Sequence, residues 1–301
     1  MADALLRAPR IQELPALAER LALGGLLEVA CPLDPRSDAR VAEVGGRLVG
    51  TCWVRLVSSV TVFSADGTEA YVEGRVDAGH RGRGIGAALL GWTLRRARAA
   101  GARSAFTDTD SPAGVALLTA QGFRHDRLLE VMVLEDPSAV APPAWPAGTR
   151  LERRGRGQAL VDAVVAACDR AFADLEGYRG ATRPVVARVL ADDSSDPSLC
   201  LLAWRGGEVV GLCYCRLERS GDALGGWVED LGVAPAARGI GLGRALLRQG
   251  VAELAARGAA SVLLGVDARN EVAKGLYLAT GFKRTGELTR YQLSLDQPRS
   301  A

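Results

Sequence analysis

The stretch Val228-Glu-Asp-Leu-Gly-Val-Ala-Pro-Ala-Ala-Arg238-Gly-Ile-Gly-Leu-Gly243-Arg-Ala-Leu-Leu247 reads as a strand that runs into a glycine-rich loop and then a helix. A helix that begins on glycines leaves backbone N–H groups uncapped at the positive end of its dipole, which makes a seat for a phosphate or pyrophosphate. The glycines let the backbone approach the oxygens and take up conformations that a Cβ penalises. Arg238, just ahead of them, either adds a charge-assisted contact or braces the loop. Two other phosphate loops are excluded letter by letter. A dinucleotide fingerprint needs glycine where Leu246 stands, and a nucleoside-triphosphate loop needs Gly-Lys-Ser/Thr, which is absent near this segment.

The same grammar occurs earlier as Val72-Glu-Gly-Arg-Val-Asp-Ala-Gly-His-Arg81-Gly-Arg-Gly-Ile-Gly86-Ala-Ala-Leu-Leu90, with Leu89 in the position of Leu246. From Arg81 to Arg238 the displacement is 157 residues, and from Gly122 in Gln-Gly-Phe to Gly281 in Thr-Gly-Phe it is 159. Two landmarks in nearly constant register indicate a duplicated unit. A chain of 301 residues suits two domains of ordinary size. The proline-rich segment 136–148 reads as an extended linker, so the expected domains are residues 1–135 and 149–301. In the second, 160–172 and 184–190 read as helices, 199–204, 209–217 and 227–233 as strands, and 245–256 as a helix. Then 261–266 is β-like, 271–279 is a helix capped by Asn270, and 282–293 is a closing hairpin. The first half follows the same order more loosely, with a helix over 11–23, a hairpin over 41–56 turning at Gly45-Gly46, and a helix over 88–100.

The run from Val233 through Pro235 and Arg238 to Gly243 resembles the acetyl-CoA pyrophosphate loop of the GNAT acetyltransferases, and residues 270–282 resemble their second cofactor motif. The likeness covers both halves. It implies an α/β fold class: two tandem GNAT folds, each a central mixed, mostly antiparallel β-sheet flanked by helices. It also implies transfer of an acetyl group from acetyl-CoA to a primary amine. In that family the backbone of Leu231, Gly232 and Val233 would pair with the pantetheine arm like an added strand. Arg238, Gly239, Ile240, Gly241, Leu242, Gly243 and Arg244 would surround the pyrophosphate, with Asn270 and Lys274 touching the cofactor further along. By the same likeness Gly74, Arg75 and Val76, with Arg81, Gly82, Arg83, Gly84, Ile85 and Gly86, make a second cofactor loop in the first half. A tandem pair of such domains is similar to the mycothiol synthase family and to antibiotic-pathway N-acyltransferases.

Amide formation from a thioester needs a deprotonated amine, a polarised carbonyl and a proton for the leaving thiolate. Tyr277, four residues before Gly281, falls where the resemblance implies the general acid; a tyrosine that packs or hydrogen-bonds the cofactor is the other reading. Glu229 falls where amine-specific relatives carry the carboxylate that accepts the substrate proton. Its neighbour Asp230 is expected on the opposite face of the strand, so that one of the two faces the cleft; Asp230 as the base and a purely electrostatic hold on a cationic substrate are the alternative readings. The first half has Ser111 where Asn270 aligns, Leu118 where Tyr277 aligns and Ala78 where Pro235 aligns. Leucine cannot donate a proton, so this half is expected to be catalytically degenerate, either binding acetyl-CoA without turnover or serving structure alone. Asp174, Glu176 and Tyr178 lie in the loop where similar enzymes wall the acceptor cleft. Their charges suit a cationic amine, and they equally suit a solvated acidic loop.

With 37 basic and 35 acidic residues the chain has no basic field to recruit nucleic acid. No apolar run approaches the ~20 residues of a membrane span, and the N-terminus lacks the pattern of a secretory signal, so a cytoplasmic protein is expected. Six cysteines without a C-x-x-C pair and two histidines are poor material for a metal site, and none is expected. Cys213 and Cys215 share one strand face that reads as core. No cysteine stands at the motif positions, which favours direct attack in a ternary complex over an acyl-enzyme. The acceptor expected first is a small-molecule amine such as an antibiotic, then a cysteinyl pseudo-disaccharide, then a peptide amine. A non-catalytic acetyl-CoA sensor is the reading from a different class. The expected state is a monomer or homodimer.

Overall fold

The computed structural model describes residues 4–13, 38–57, 69–175, 178, 180–191, 195–220 and 223–296. In chain order these form β1 (Leu5–Arg7), β2 (Ala39–Val44), β3 (Arg47–Val57), β4 (Glu69–Val76), α1 (Ile85–Ala99), β5 (Ser104–Asp108), α2 (Pro112–Ala120) and β6 (Arg124–Leu134). They continue with β7 (Thr149–Glu152), α3 (Gln158–Phe172), α4 (Arg183–Ala191), β8 (Cys200–Arg205), β9 (Glu208–Ser220) and β10 (Ala223–Val233). Last come α5 (Leu242–Ala256), β11 (Ser261–Asp267), α6 (Glu271–Leu278) and β12 (Lys283–Ser294).

The described residues fall into two compact units, one of residues up to Arg127 closed by residues 289–296, the other of residues 128–288. In the first unit the strands run β1, β2, β3, β4, β5, then the end of β12. All neighbours are antiparallel except β4 and β5. The Gly45-Gly46 hairpin is present, with φ of +58° and +79° as a two-residue turn between twisted strands demands. Leu89, Leu90, Leu94 and Ala97 of α1 cover one sheet face. The opposite face carries the aromatic cluster of Trp53, Tyr71 and Phe106.

The second unit repeats the plan, in the order β6, β11, β10, β9, β8, β7, with only β10 and β11 parallel. α5 lays Leu242, Leu246, Leu247, Val251 and Leu254 on the face formed by Leu201, Cys213, Cys215, Val228, Val262 and Leu264. α3 and α4 cover the other face, burying Leu160, Val164, Ala167, Phe172, Val186 and Leu190 against Cys200, Leu202, Leu212 and Tyr214. The alternation Leu212, Cys213, Tyr214, Cys215 along β9 thus serves two cores. The Cys213 and Cys215 sulfurs lie 3.6 Å apart in the α5 core, and the five described cysteines are all buried and free.

Three expectations change. The chain does not divide in space at 136–148. From Leu128 onward β6 joins the second sheet beside β11, and the end of β12 joins the first sheet beside β5. Each sequence half lends its closing strand to the other unit, a pairing that no local pattern announces. Residues 283–294 form a single strand in place of the expected hairpin, because nothing in them turns the backbone. The 136–148 segment, with Pro137 buried and Val140 and Trp145 packed on the α5 core, lies against the second unit. The short strands β1 and β7 carry too little pattern to be read from sequence. Of the helix expected over 11–23, Ile11–Glu13 form a single 3-10 turn and the remainder lies outside the described residues. Among the described residues no helix is long and apolar enough to cross a membrane.

Leu246 is fully buried at the centre of the α5 face. Leu246→Ala leaves a cavity there and is expected to lower stability by about 2–5 kcal/mol, measured as a fall in the urea midpoint at unchanged slope.

Candidate functional site

β10 and β11 pair only through Gly225↔Ser261, Gly226↔Val262 and Trp227↔Leu263. Beyond Trp227 the two strands part. β10 continues to Val233 against β9 alone, and β11 continues to Asp267 against β6. A parallel pair that opens midway leaves one edge of residues 228–233 without a strand partner, and an extended chain can add itself there. Gly232 sits on this stretch because a Cβ would lie 2.5 Å from Phe172 Cζ and 2.8 Å from Ala171 Cβ, where α3 crosses close behind the strand.

The glycine loop stands at the mouth of the opening. Gly239 and Gly241 have φ of +79° and +91°, and α5 starts on Gly241 with no side-chain cap. Positions that would carry their Cβ atoms face open space. The first N–H groups of α5 are therefore available to an anion. Arg238 braces this loop from behind: Nε donates to the Val233 carbonyl at 2.9 Å, Nη2 to the Ala171 carbonyl at 2.9 Å, and both terminal nitrogens to Asp174 at 2.5 and 2.8 Å. Asp174 is held below the usual carboxylate range by that arginine. Arg244 is exposed, with no ion-pair partner among the described residues.

The register of β10 against β9 slips between Val228 and Asp230, which leaves Glu229 as the extra residue of a β-bulge. Asp230 lies opposite Tyr214, and Glu229 accepts a 2.8 Å hydrogen bond from Arg216 Nε. Tyr214 and Arg216 are two residues apart on one face, so Glu229 and Asp230 point to the same side. This corrects the expected alternation, which the bulge interrupts. Both carboxylates face the α3 side.

Tyr277 projects from α6 and is 7% exposed. Burial pushes its phenol well above the ordinary tyrosine value, and the nearby Cys213 and Asp230 add to the shift. The ring rests against Phe282 with centroids 6.0 Å apart. A phenol so shifted stays protonated at neutral pH.

A strand pair that parts, an uncapped helix on a glycine loop, and a buried phenol can be compared with known proteins. The sequence profile described as the acetyltransferase (GNAT) family matches residues 12–123 and 173–282. The chain belongs to the GNAT acetyltransferase family. It is 34% identical to the mycothiol acetyltransferase of Stackebrandtia nassauensis over 281 residues, covering 91% of this chain and 88% of that one. It is 31% identical over 293 residues to the mycothiol acetyltransferase of a Nocardioides species, covering 93% and 96%. A GCN5-related N-acetyltransferase from Sphaerobacter thermophilus shares the fold with a TM-score of 0.73 at 23% identity, covering 98% of this chain and 96% of that one. A tandem GNAT protein from the clavulanic acid biosynthesis pathway does so with a TM-score of 0.66 at 17% identity, covering 98% and 100%.

This GNAT protein is accordingly an N-acetyltransferase, and the cosubstrate of the family is acetyl-CoA. The open edge of β10 and the uncapped start of α5 suit its extended pantetheine and its pyrophosphate. Other residues expected to touch it have structural duties. Asn270 Oδ1 accepts the Ala273 N–H and caps α6, as its position in the sequence foretells. Lys274 Nζ is held by Glu130 at 3.2 Å, the Ala268 carbonyl at 2.8 Å and Glu271 at 2.8 Å, which engages all three of its N–H donors. Of the expected acceptor contacts, Asp174 is taken up by Arg238, Tyr178 donates its hydroxyl to Asp169 at 2.9 Å, and Glu176 lies outside the described residues.

The first unit of this GNAT chain repeats the cradle. β4 and β5 pair through three residues and part after Tyr71↔Phe106. Gly82 and Gly84 have φ of +73° and +81°, and α1 starts uncapped on Gly84. Arg81 Nε donates to the Val76 carbonyl at 3.0 Å, the counterpart of Arg238 on Val233. Ser111 caps α2 as Asn270 caps α6, and the Phe123 N–H bonds the Leu118 carbonyl as Phe282 bonds Tyr277. The bulge is missing: β3 and β4 stay in unbroken register from Gly50↔Val76 to Val57↔Glu69. Sequence reading passed over both the bulge and Arg216. The displacement between the copies is 156 residues at Val72 and Val228 but 157 at Arg81 and Arg238, a one-residue insertion that marks the bulge.

Asp174→Ala removes the exposed half of the brace on Arg238 and leaves the two carbonyl bonds. An exposed pair is worth about 0–1 kcal/mol, so the KM for acetyl-CoA is expected to rise by at most about fivefold, with kcat essentially unchanged in steady-state kinetics.

Proposed function

We propose that the second unit acetylates the primary amine of a small molecule by direct attack in a ternary complex, and that the acceptor is a cysteinyl pseudo-disaccharide of the mycothiol type. The observation that carries the acceptor class is similarity above 30% identity, across both units, to two proteins named mycothiol acetyltransferase. It reverses the order expected from sequence, in which a broader class of amines came first. Under this reading Leu231, Gly232 and Val233 offer the backbone edge for pantetheine, and Gly239 to Gly243 hold the pyrophosphate at the start of α5. Glu229 takes the proton of the attacking amine, directly or through water, and Tyr277 gives its proton to the departing sulfur. Arg244 faces the phosphates as the free charge, while Arg238 shapes the loop.

The test is release of free CoA from acetyl-CoA with a panel of amines that includes a cysteinyl glycoside. Turnover is expected with the cysteinyl acceptor, and Tyr277→Phe and Glu229→Gln should each lower kcat by ~100-fold, within the range of acid–base groups. Turnover of other amines with none of the cysteinyl acceptor would overturn the acceptor class. Because the Tyr277 pKa is raised, the phenol stays protonated at every pH below its shifted value. The rate should therefore climb as the acceptor ammonium deprotonates near ~8 and hold level to at least pH ~10, the ordinary tyrosine value.

For the first unit we propose binding of acetyl-CoA without turnover, by Gly74 to Val76 and Arg81 to Gly86. The repeated parted strands and uncapped helix support it, while Leu118 in the place of Tyr277 removes the acid. Calorimetry of the wild type is expected to count two equivalents of acetyl-CoA and Gly84→Val one. A single equivalent in both would leave this unit a structural role.

A further inference from the structure

Arg216 is an arginine inside a hydrophobic sheet, 6% exposed, on the apolar stretch of β9 directly opposite Trp227, the last residue of β10 before the strands part. Its Nε donates to Glu229 Oε1 at 2.8 Å, and its Nη1 lies 3.1 Å from Glu218 Oε2. Burial opposes the charge of the guanidinium. The two carboxylates and the hydrogen bond to Glu229 outweigh burial and keep it charged. Removing one partner from a buried pair strands the other, so the cluster stands or falls as a group.

Among the described residues the bulge beneath this cluster has no counterpart in the first unit. By strand register Arg55 holds the corresponding place in the first unit, opposite Tyr71, but Val57 stands where Glu218 does, and no bulge lifts Glu73 out of the ladder. The guanidinium of Arg55 lies over the Trp53 ring, 5.0 Å from its centroid. A bulged residue lacks the ladder bonds that fix its neighbours. Arg216 supplies the missing constraint on Glu229 from the adjacent strand, binding Oε1. The other oxygen, Oε2, has no hydrogen-bond partner among the described residues, which leaves it to receive a proton.

From this we infer that Arg216 is a positioning residue for the amine-acylation chemistry: bridged between Glu218 and Glu229, it aims the carboxylate of Glu229 from the bulge into the cleft. The inference rests on the base role proposed for Glu229. Arg216 touches neither the glycine loop nor the β10 edge beyond the bulge, so its effect belongs in kcat.

The experiment is a double-mutant cycle on the full chain with acetyl-CoA and the best acceptor of the amine panel. Arg216→Met is expected to lower kcat by about 100-fold, the cost of misplacing a reacting group, with the KM for acetyl-CoA unchanged. Arg216→Lys, which keeps the charge but not the directed bonds, should recover part of that loss. Arg216→Met combined with Glu229→Gln should be no slower than Glu229→Gln alone, because the arginine then has no base to aim. Losses that multiply in the double variant, or a loss confined to KM, overturn the positioning role while leaving Glu229 as the base. A Glu229→Gln enzyme with wild-type kcat overturns the base and the positioning role together. Should Arg216→Met fail to fold in a melting experiment, the same cycle is read with Arg216→Lys.

Discussion

A parallel strand pair that stops bonding partway along its length leaves backbone donors and acceptors bare on the facing edges, and such groups must find partners in water or in a ligand. In this protein the opening after Trp227 and Leu263 governs what surrounds it. β10 is bonded to β9 on either side of the bulge at Glu229, so its bare edge belongs to a strand held from its other side. The loop that follows returns over the opening and starts α5 on an uncapped glycine. α3 presses on the back of the strand so closely that only glycine fits at position 232. The opening is thus shaped from three sides by the chain itself, which reduces the ordering that any ligand there would have to impose.

The two copies separate what the opening provides from what the bulge provides. Both units have the parted pair, the glycine loop and the arginine that braces it. Only the second has an added residue in the strand before the loop, and that residue puts two neighbouring carboxylates on one face. An insertion in the middle of an antiparallel ladder has few outlets: it shifts the whole register, which would turn one face of β10 inside out, or it is absorbed as a bulge. The hydrophobic pattern on either side of Glu229 forbids the shift, since Val228 and Leu231 must both meet the α5 core. The placement of the base proposed for this unit therefore follows from a packing conflict resolved locally.

The sequence made the duplicated strand–loop–helix legible because glycines at fixed spacing and apolar periodicity are local signals. The helix caps at Asn270 and Ser111 were equally local. What escaped was non-local. Alternation along a strand predicts opposite faces for Glu229 and Asp230 until pairing with β9 reveals the bulge. Lys274 and Asp174 look available in sequence, yet each is occupied by a partner far along the chain, Glu130 and Arg238. Arg216 hides in a run that reads as a core strand, and its meaning depends on which residue lies across from it.

The crossing of the closing strands gives the first half of the chain a part in the second unit that does not depend on its own chemistry. β6 supplies Met132 and Leu134 to the α5 core and pairs with β11 along the whole length beyond the opening. Glu130, on the same strand, holds Lys274 of α6, the helix that carries Tyr277. A second unit cut off after the proline-rich segment would lose the outer partner of β11 and an anchor of the helix that sets the phenol. Leucine at position 118, where the proposed proton donor Tyr277 aligns, is therefore compatible with a continued requirement for the last strand of the first copy, since one concerns a side chain and the other the edge of a sheet.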